Sequence, residues 1–275
     1  MSASEIMPSQ GTSTFDLFAL RFHFRAQTAV HFPAGKTANL FRGQFGKTLH
    51  HVDPTVYARF FAPVRATGVP SGLHDPPRPF VLRVRHLDGA GLQQFHVGLN
   101  VFQTDDADLV GIFQAMEGLA RTSLRAELCS IDGREIVRLP LARRTASPRR
   151  ARVRFLSPTE LKNRKQPEFG ELFSRIRDRI STLSALYGAG PLEIDFKAIG
   201  ERAAAIRMTR CELENVEAER VSRGTGQRHK LRGFVGIAEY EGDLAEFIPY
   251  LEIAGYTGVG RQTVWGKGEI SVETF

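Results

Sequence analysis

The order of apolar patterns along the chain restricts its fold more than any other feature. Alternating apolar residues indicate strands with one buried face, and a spacing of three or four indicates helices. In the first half the predicted elements are a strand at Phe15 to Ala29, a helix at Lys36 to Val52, strands at Phe80 to Arg85 and Phe95 to Phe102, a helix at Asp105 to Ala120, and strands at Leu124 to Cys129 and Glu135 to Leu139. Strand, helix, strand, strand, helix, strand is the order of a ferredoxin-like α/β sandwich.

The second half returns to this order. Its predicted elements are a strand at Val153 to Leu156, helices at Phe169 to Leu186 and Glu193 to Ala205, strands at Ile206 to Val221 and His229 to Tyr240, a helix at Asp243 to Ala254 and a strand at Glu269 to Val272. The stretches FHVGLNVF and GFVGIAEY also correspond, which favours an internal duplication. We therefore predict an α+β fold of tandem ferredoxin-like (RRM-like) domains. We expect a mobile N-terminus at 1–14, a first domain at 15–142, a basic linker at 143–152 and a second domain at 153–275.

A glycine-rich stretch, 255–268, separates the last helix from the last strand. After Gly255 it contains four more glycines, two cations and one indole, at Gly258, Gly260, Gly266, Gly268, Arg261, Lys267 and Trp265. It is not a P-loop, because Lys267 is followed by glycine, and it is not a dinucleotide fingerprint, because it runs into a strand. Exposed N–H groups and two cations would suit a phosphate chain, and a glycine-rich turn without a ligand is the alternative.

Composition excludes several classes of protein. A chain of 275 residues that is 42% hydrophobic can bury one large core or two medium ones. Its net charge of +7 moderately favours a polyanionic partner. Two distant cysteines, Cys129 and Cys211, argue against a disulfide framework and a zinc site, so we expect a reducing, cytoplasmic compartment. We find no signal peptide, no membrane-spanning run and no metal-ligand motif, and we expect no membrane partner, no metal and no cofactor.

Four segments carry a resemblance to a known family: NLFRGQFGKTLHH, PRPFVLR, FLSPTEL with the helix FGELFSRIRDRISTL, and LRGFVGIAEYEGDLAEFIPYLEIAGYTGVGRQTVWGKGEI. The chain resembles the CRISPR-associated endoribonucleases that cut precursor CRISPR RNA, the Cas-six group of the repeat-associated mysterious proteins (RAMP). The resemblance extends from about Phe15 to Glu273, and it includes a fold-defining glycine-rich loop between the final helix and the final strand. Two departures are that Lys47 stands where some relatives have a histidine, and that the first domain lacks a glycine-rich equivalent.

The resemblance implies metal-independent RNA cleavage. The 2′-OH of the substrate attacks the adjacent phosphorus and leaves a 2′,3′-cyclic phosphate and a 5′-OH. This reaction requires a base, an acid and cations that stabilise the developing charge. The implied partner is CRISPR-repeat RNA, with a CRISPR effector complex as a further partner, and we expect a monomer or a homodimer.

Histidines are the candidates for acid and base. His50 and His51 end the first predicted helix, and Lys47 lies one turn before His51. We favour His51, with Lys47 as its electrostatic partner; the alternative is that both histidines only stabilise the helix C-terminus. His229, on a predicted hairpin tip, is a rival base, and Tyr57 is a weaker candidate for contact with the 2′-OH.

The candidate RNA-binding residues are mostly cations. They are Arg42, the linker residues Arg143, Arg144, Arg149, Arg150 and Arg152, the hairpin residues Arg223, Arg228 and Lys230, and the loop residues Gly258, Gly260, Arg261, Gln262 and Lys267. The alternative for the linker is a solvated segment that binds nothing. Trp265 suits either base stacking or a core. His23, His86 and His96 fall within predicted strands, where a packed or solvated histidine is the default.

Two other functions fit the same residues. The first is a non-catalytic RNA-binding subunit of a CRISPR effector complex, built on the same fold. The second is an enzyme that uses the glycine-rich loop to bind a phosphate or nucleotide.

Overall fold

The computed structural model describes residues 13–63, 76–103, 109–146, 148–161, 166–221 and 228–275, with the backbone alone at 217–221 and 228–231. Its strands are β1 (Thr14–His31), β2 (Phe80–Arg83), β3 (Gly91–Val101), β4 (Ala126–Asp132), β5 (Ile136–Pro140), β6 (Arg150–Thr159), β7 (Arg207–Val221), β8 (Arg228–Glu241) and β9 (Ile270–Thr274). Its α-helices are α1 (Thr37–Val52), α2 (Pro54–Phe61), α3 (Leu109–Leu119), α4 (Phe169–Tyr187), α5 (Phe196–Ala204) and α6 (Ile248–Thr257). Short 3₁₀ turns occur at Arg85–Leu87 and Thr263–Trp265, and a π-helical turn at Ala120–Leu124.

Both sheets have the ferredoxin-like strand order. The first runs β2-β3-β1-β4, with β5 also paired to β1, and the second runs β7-β8-β6-β9. Every described pairing is antiparallel. In each sheet the first and third strands of the motif lie side by side in the middle. The predicted tandem ferredoxin-like fold is confirmed.

Alternation along β1 explains how one strand serves two cores. Leu20, Phe22 and Phe24 point to the helices of the first half and are almost fully buried there. On the opposite face, Phe15 and Leu17 are equally buried, but they pack into the core of the second half. Successive side chains on a strand face opposite ways, so a single strand can seal both cores.

The two halves therefore share apolar surface. Val81 on β2 and Phe102 after β3 join Phe15 in the second core, and the rings of Phe15 and Phe102 lie 5.9 Å apart. All three are at most 3% exposed. The contact between the halves is thus a continuation of the protein interior.

Several element boundaries differ from the sequence prediction. Helix α6 begins at Ile248 instead of Asp243, because Pro249 takes a first-turn position, where its missing N–H costs nothing. Strand β6 begins at Arg150, inside the predicted linker. Most of the N-terminus predicted to be mobile lies outside the described residues, and the domain limits stay a prediction.

Helix α2 was not predicted at all, although its start signals are present. The carboxylate of Asp53 accepts hydrogen bonds from the backbone N–H groups of Thr55 (3.0 Å) and Val56 (2.9 Å), and Pro54 occupies the first turn. An aspartate cap followed by proline is a strong helix start. At eight residues the helix is too short for a clear apolar period.

We expect Asp53→Ala to lower the free energy of unfolding by about 1 kcal/mol, because two N–H groups lose their acceptor. Thermal and urea unfolding measure this. Asp53→Ser is the matched control, since serine also caps helices and should retain most of the stability. Equal stability of the alanine variant and the parent would contradict the role of Asp53.

Candidate functional site

The C-terminal end of α6 is held by side chains from the first half of the chain. The Nη2 atom of Arg83, on β2, donates to the carbonyls of Gly255 (2.8 Å) and Tyr256 (2.9 Å). The Nδ2 atom of Asn100, on β3, also donates to the carbonyl of Tyr256, at 2.9 Å. The last carbonyls of a helix lack partners within it and carry partial negative charge, so a cationic donor fits them well. These carbonyls belong to the first residues of the glycine-rich stretch, which leaves the helix after Thr257.

A second arginine, from the second half of the chain, also binds the C-terminal end of α6. The Nε atom of Arg179, on α4, donates to the carbonyl of Thr257 at 3.0 Å. Burial, together with the nearby charge of Arg83, lowers the pKa of the Arg179 guanidinium to about 10. Burial also lowers the pKa of Arg83, and the charge of Glu269 partly offsets this. Both arginines stay charged at neutral pH, held by the negative end of the helix.

The glycines of the loop allow the chain to pack against itself. Gly260 and Gly268 have φ of +80° and +69°, a region that favours glycine. A Cβ on Gly268 would lie 1.9 Å from the carbonyl oxygen of Val259, and one on Gly260 would lie 2.5 Å from that of Glu160. These glycines are required by contacts inside the protein, whereas the sequence suggested close approach of a ligand.

Several N–H groups of the loop already have partners. The N–H of Val259 donates to the carbonyl of Gly268 (2.9 Å), and that of Gly268 donates to the carbonyl of Pro158 (3.1 Å). The N–H of Gly258 bonds within α6 at 2.8 Å. The row of exposed N–H groups expected for a phosphate is therefore not formed at these positions. The assignment of Gly258 and Gly260 as RNA contacts stays a prediction.

The two cations of the loop lie in different surroundings. Lys267 is 3% exposed, and its Nζ lies 2.7 Å from the carbonyl oxygen of Arg232, 3.0 Å from Oε1 of Gln262 and 3.4 Å from Oε2 of Glu160. Burial lowers the pKa of this ammonium, and Glu160 opposes the shift. Arg261 is exposed and contacts the other oxygen of Glu160 at 3.3 Å. Lys267 thus orders the loop from inside, and Arg261 offers its charge to solvent.

Glu160 is a residue of this site that sequence reasoning missed. Its carboxylate contacts both loop cations, and its backbone carbonyl accepts from the N–H of Arg261 at 3.2 Å. It lies 101 positions before Arg261 and 107 before Lys267 in sequence, so no local pattern links it to them. The segment FLSPTEL, part of the family resemblance, was the one available signal.

A row of rings connects the loop with helix α1. The guanidinium of Arg42 lies 5.4 Å from the ring of Trp265 and 5.3 Å from that of Phe61. Phe61 stacks on Tyr57 at 5.1 Å and 7°, and Tyr57 meets His50 edge-on at 4.7 Å. Trp265, Arg42, Phe61, Tyr57 and His50 therefore form a continuous series of contacts, which we call the ring row.

The three candidates on α1 lie on two faces of the helix. His50 follows Arg42 by two turns, or about 12 Å, on the face that carries the ring row. Relative to His50, Lys47 is turned by about 60° around the helix and His51 by about 100°, since each residue adds about 100°. All three side chains are exposed. His51 and Lys47 are thus neighbours on the helix surface, and the ring of His50 contacts Tyr57 in the ring row.

Most of the linker cations are paired with carboxylates. The ion pairs are Arg143 with Asp243 (2.7 Å), Arg144 with Glu252, Arg150 with Glu241 (3.5 Å), and Arg152 with Glu239 (2.7 Å) and Glu273 (3.4 Å). Arg149 is exposed. Exposed pairs of this kind are weak, so they would not prevent RNA contact, but they reduce the local positive charge.

The predicted hairpin tip is described in part. Arg228, His229 and Lys230 belong to strand β8, paired with β7, and their side chains lie outside the description. Arg223 lies outside the described residues altogether.

We expect Gly268→Ala to destabilise the protein by several kcal/mol, because its methyl group would overlap the carbonyl of Val259. Thermal unfolding measures the loss. The control is Gly43→Ala, at an exposed helical position with open space around a Cβ, which should gain about 0.5–1 kcal/mol. A Gly268→Ala protein as stable as the parent would refute the proposed packing.

We also expect substitutions of the two loop cations to differ in their effect on the free energy of unfolding. Lys267→Met removes the buried donor to the carbonyl of Arg232, to Gln262 and to the partly exposed carboxylate of Glu160, and should cost about 1–3 kcal/mol. Arg261→Ala, at an exposed site, should change the unfolding free energy by less than about 0.5 kcal/mol. Urea unfolding compares them, and a larger effect at Arg261 would reverse our assignment.

Two searches of the described residues have negative results. No group of His, Cys, Asp and Glu in this part of the chain has a geometry that could hold a metal ion. None of the described helices is both long enough and apolar enough to cross a bilayer.

The geometry can be compared with known proteins. The family model described as CRISPR-associated endoribonuclease Cas6 matches residues 153–270, which include the glycine-rich loop. No curated protein matches the sequence. Among solved structures, a product complex of the Thermus thermophilus Cas6 TTHB231 has 18% identity, covers 94% of this chain and 100% of its own, and has a TM-score of 0.58.

Two further structures show the same fold. A product complex of the Cas6 TTHA0078 has 16% identity, covers 94% of this chain and 99% of its own, and has a TM-score of 0.58. A partial Cas6-RT-Cas1–Cas2 complex has 12% identity and a TM-score of 0.58, with 94% of this chain and 46% of that one covered. The resemblance found in the sequence is confirmed: the chain is similar to Cas6 endoribonucleases, by sequence over residues 153–270 and by fold over nearly its whole length.

Proposed function

We propose that the protein binds the repeat of precursor CRISPR RNA and cleaves it without a metal ion. The 2′-OH of the substrate attacks the adjacent phosphorus, the bond to the 5′ oxygen breaks, and a 2′,3′-cyclic phosphate and a 5′-OH result. The observation that supports this most is the Cas6 family match, because it includes the loop that the two halves of the chain anchor together. The cytoplasm remains the expected compartment.

We assign acid or base catalysis to His50 first. Sequence reasoning favoured His51, but His50 lies on the ring row that leads to Trp265 and the glycine-rich loop. A general acid or base must come within hydrogen-bond reach of the reacting oxygen, and His50 is the candidate linked to the loop by a series of contacts. His51 with Lys47 is the second candidate, and His229 is the third.

We assign stabilisation of the phosphorane charge to two arginines, one within the ring row and one on the glycine-rich loop. Arg261 is exposed at the loop, and Arg42 lies between the rings of Trp265 and Phe61. Preorganised cations around developing negative charge are effective in hydrolytic sites. Lys267 supports the loop from inside and does not contact the phosphate in this proposal.

The test is cleavage of a labelled CRISPR-repeat RNA in EDTA. We expect a single cut that yields a cyclic phosphate, and an uncut complex when the nucleotide at the cut site is 2′-deoxy. His50→Ala should slow the single-turnover rate by about 10²- to 10⁴-fold with little change in RNA affinity. His51→Ala, one residue away on the same helix, is the matched control and should stay within a few-fold of the parent.

Other outcomes would change the conclusion. A slow His51→Ala enzyme beside a fast His50→Ala enzyme would return the assignment to His51 and Lys47. Full rates in both variants and in His229→Ala would refute all three. Tight binding of intact RNA by the parent protein would instead support a non-catalytic subunit of an effector complex.

A further inference from the structure

Three histidines form a second row of rings, on the open face of the first sheet. His23 on β1 and His96 on β3 are paired across the middle of the sheet, with ring centroids 5.8 Å apart. His86, in the 3₁₀ turn after β2, stacks on His96 at 4.1 Å and 19°. We call these three residues the imidazole row. The cleavage site proposed above makes no use of them.

Each ring of the row is held in place. The Nε2 atom of His86 lies 3.0 Å from the carbonyl oxygen of His96, and that of His23 lies 2.8 Å from Oδ2 of Asp132. Beside the row is a hollow of about 320 Å³, lined by His23 and His96 with Arg25, Gln94 and Cys129 among its other walls. The row is therefore an ordered platform beside an open space.

The surroundings favour flat, anionic ligands. Burial lowers the pKa of His96, as do the nearby charges of His86, Arg21 and His23, so this imidazole stays neutral near pH 7. Two exposed cations flank the row: Arg21, two residues before His23 on the same face, and Arg85, next to His86. Stacked rings bordered by arginines suit stacked bases joined by phosphates.

The position of the row relates it to the glycine-rich loop. On this face of the sheet, Arg83, Gly98 and Arg21 lie side by side, and the imidazole row comes next, about 7 Å away along the strands. Arg83 holds the end of α6, from which the loop starts. A strand of RNA that leaves the loop in this direction would cross the imidazole row.

We propose that the imidazole row binds a single-stranded segment of the RNA substrate by stacking two or three bases on His23, His96 and His86. The proposal rests on the proposed function, since it extends the same RNA path. Rings on the two central strands of a ferredoxin-like sheet are suited to splayed bases, and a base-paired stem cannot present its faces to them. The described residues of the row do not form a metal site, which removes the main alternative use of clustered histidines.

The test compares two RNAs, a repeat hairpin alone and the same hairpin with its single-stranded flank. We expect the parent to bind the flanked RNA more tightly. His23→Ala/His96→Ala should lose about 10- to 100-fold in affinity for the flanked RNA and little for the hairpin alone. His23→Phe/His96→Phe, which keeps both rings, should restore most of the loss. His31→Ala, at the far end of the same strand, should have no effect.

Each other result decides against the proposal. Equal losses for both RNAs would indicate a general effect on the fold, and failure of the phenylalanine variant would exclude stacking; thermal unfolding checks that each variant is folded. If the parent binds and cleaves both RNAs equally well, the proposed function stands and the imidazole row has no RNA role. If the parent neither binds nor cleaves a repeat RNA, both proposals fall.

Discussion

The end of helix α6 is the point on which the rest of the structure depends. Its last carbonyls accept hydrogen bonds from Arg83 and Asn100 in one half of the chain and from Arg179 in the other. Because these donors are buried, the end of the helix cannot move without leaving charged groups unpaired, which is costly in a protein interior. The glycine-rich loop therefore starts from a fixed place, set by both sheets at once.

The cations of the described residues differ in whether they are paired, buried or exposed. Most of the linker arginines form ion pairs with carboxylates, and Lys267 is buried and contacts Glu160. The net charge of +7 therefore does not by itself mark a binding surface. Arg261 and Arg21 are exposed. A binding surface is therefore indicated less by the number of cations than by the few cations that lie beside ordered rings.

Periodicity was enough to predict the order of the elements and the topology, because a two-residue or a 3.6-residue repeat is a local property of the chain. Helix α2 was not predicted because it has only eight residues, although Asp53 and Pro54 marked its start. The burial of Lys267 and its contact with Glu160 were not predictable, because they join positions 107 residues apart. Helical geometry was enough to predict which residues of α1 share a face. Only the contacts of Tyr57 and Phe61 on α2 show which face is connected to the loop.

The shared interior has a consequence for how the protein unfolds. Phe15, Val81 and Phe102 complete the second core while belonging to elements of the first sheet. Melting of either half would expose apolar surface of the other, so we expect the two ferredoxin-like units to unfold as one cooperative unit. Neither unit can be lost or exchanged on its own without uncovering that surface. We therefore expect evolution to retain the two halves together.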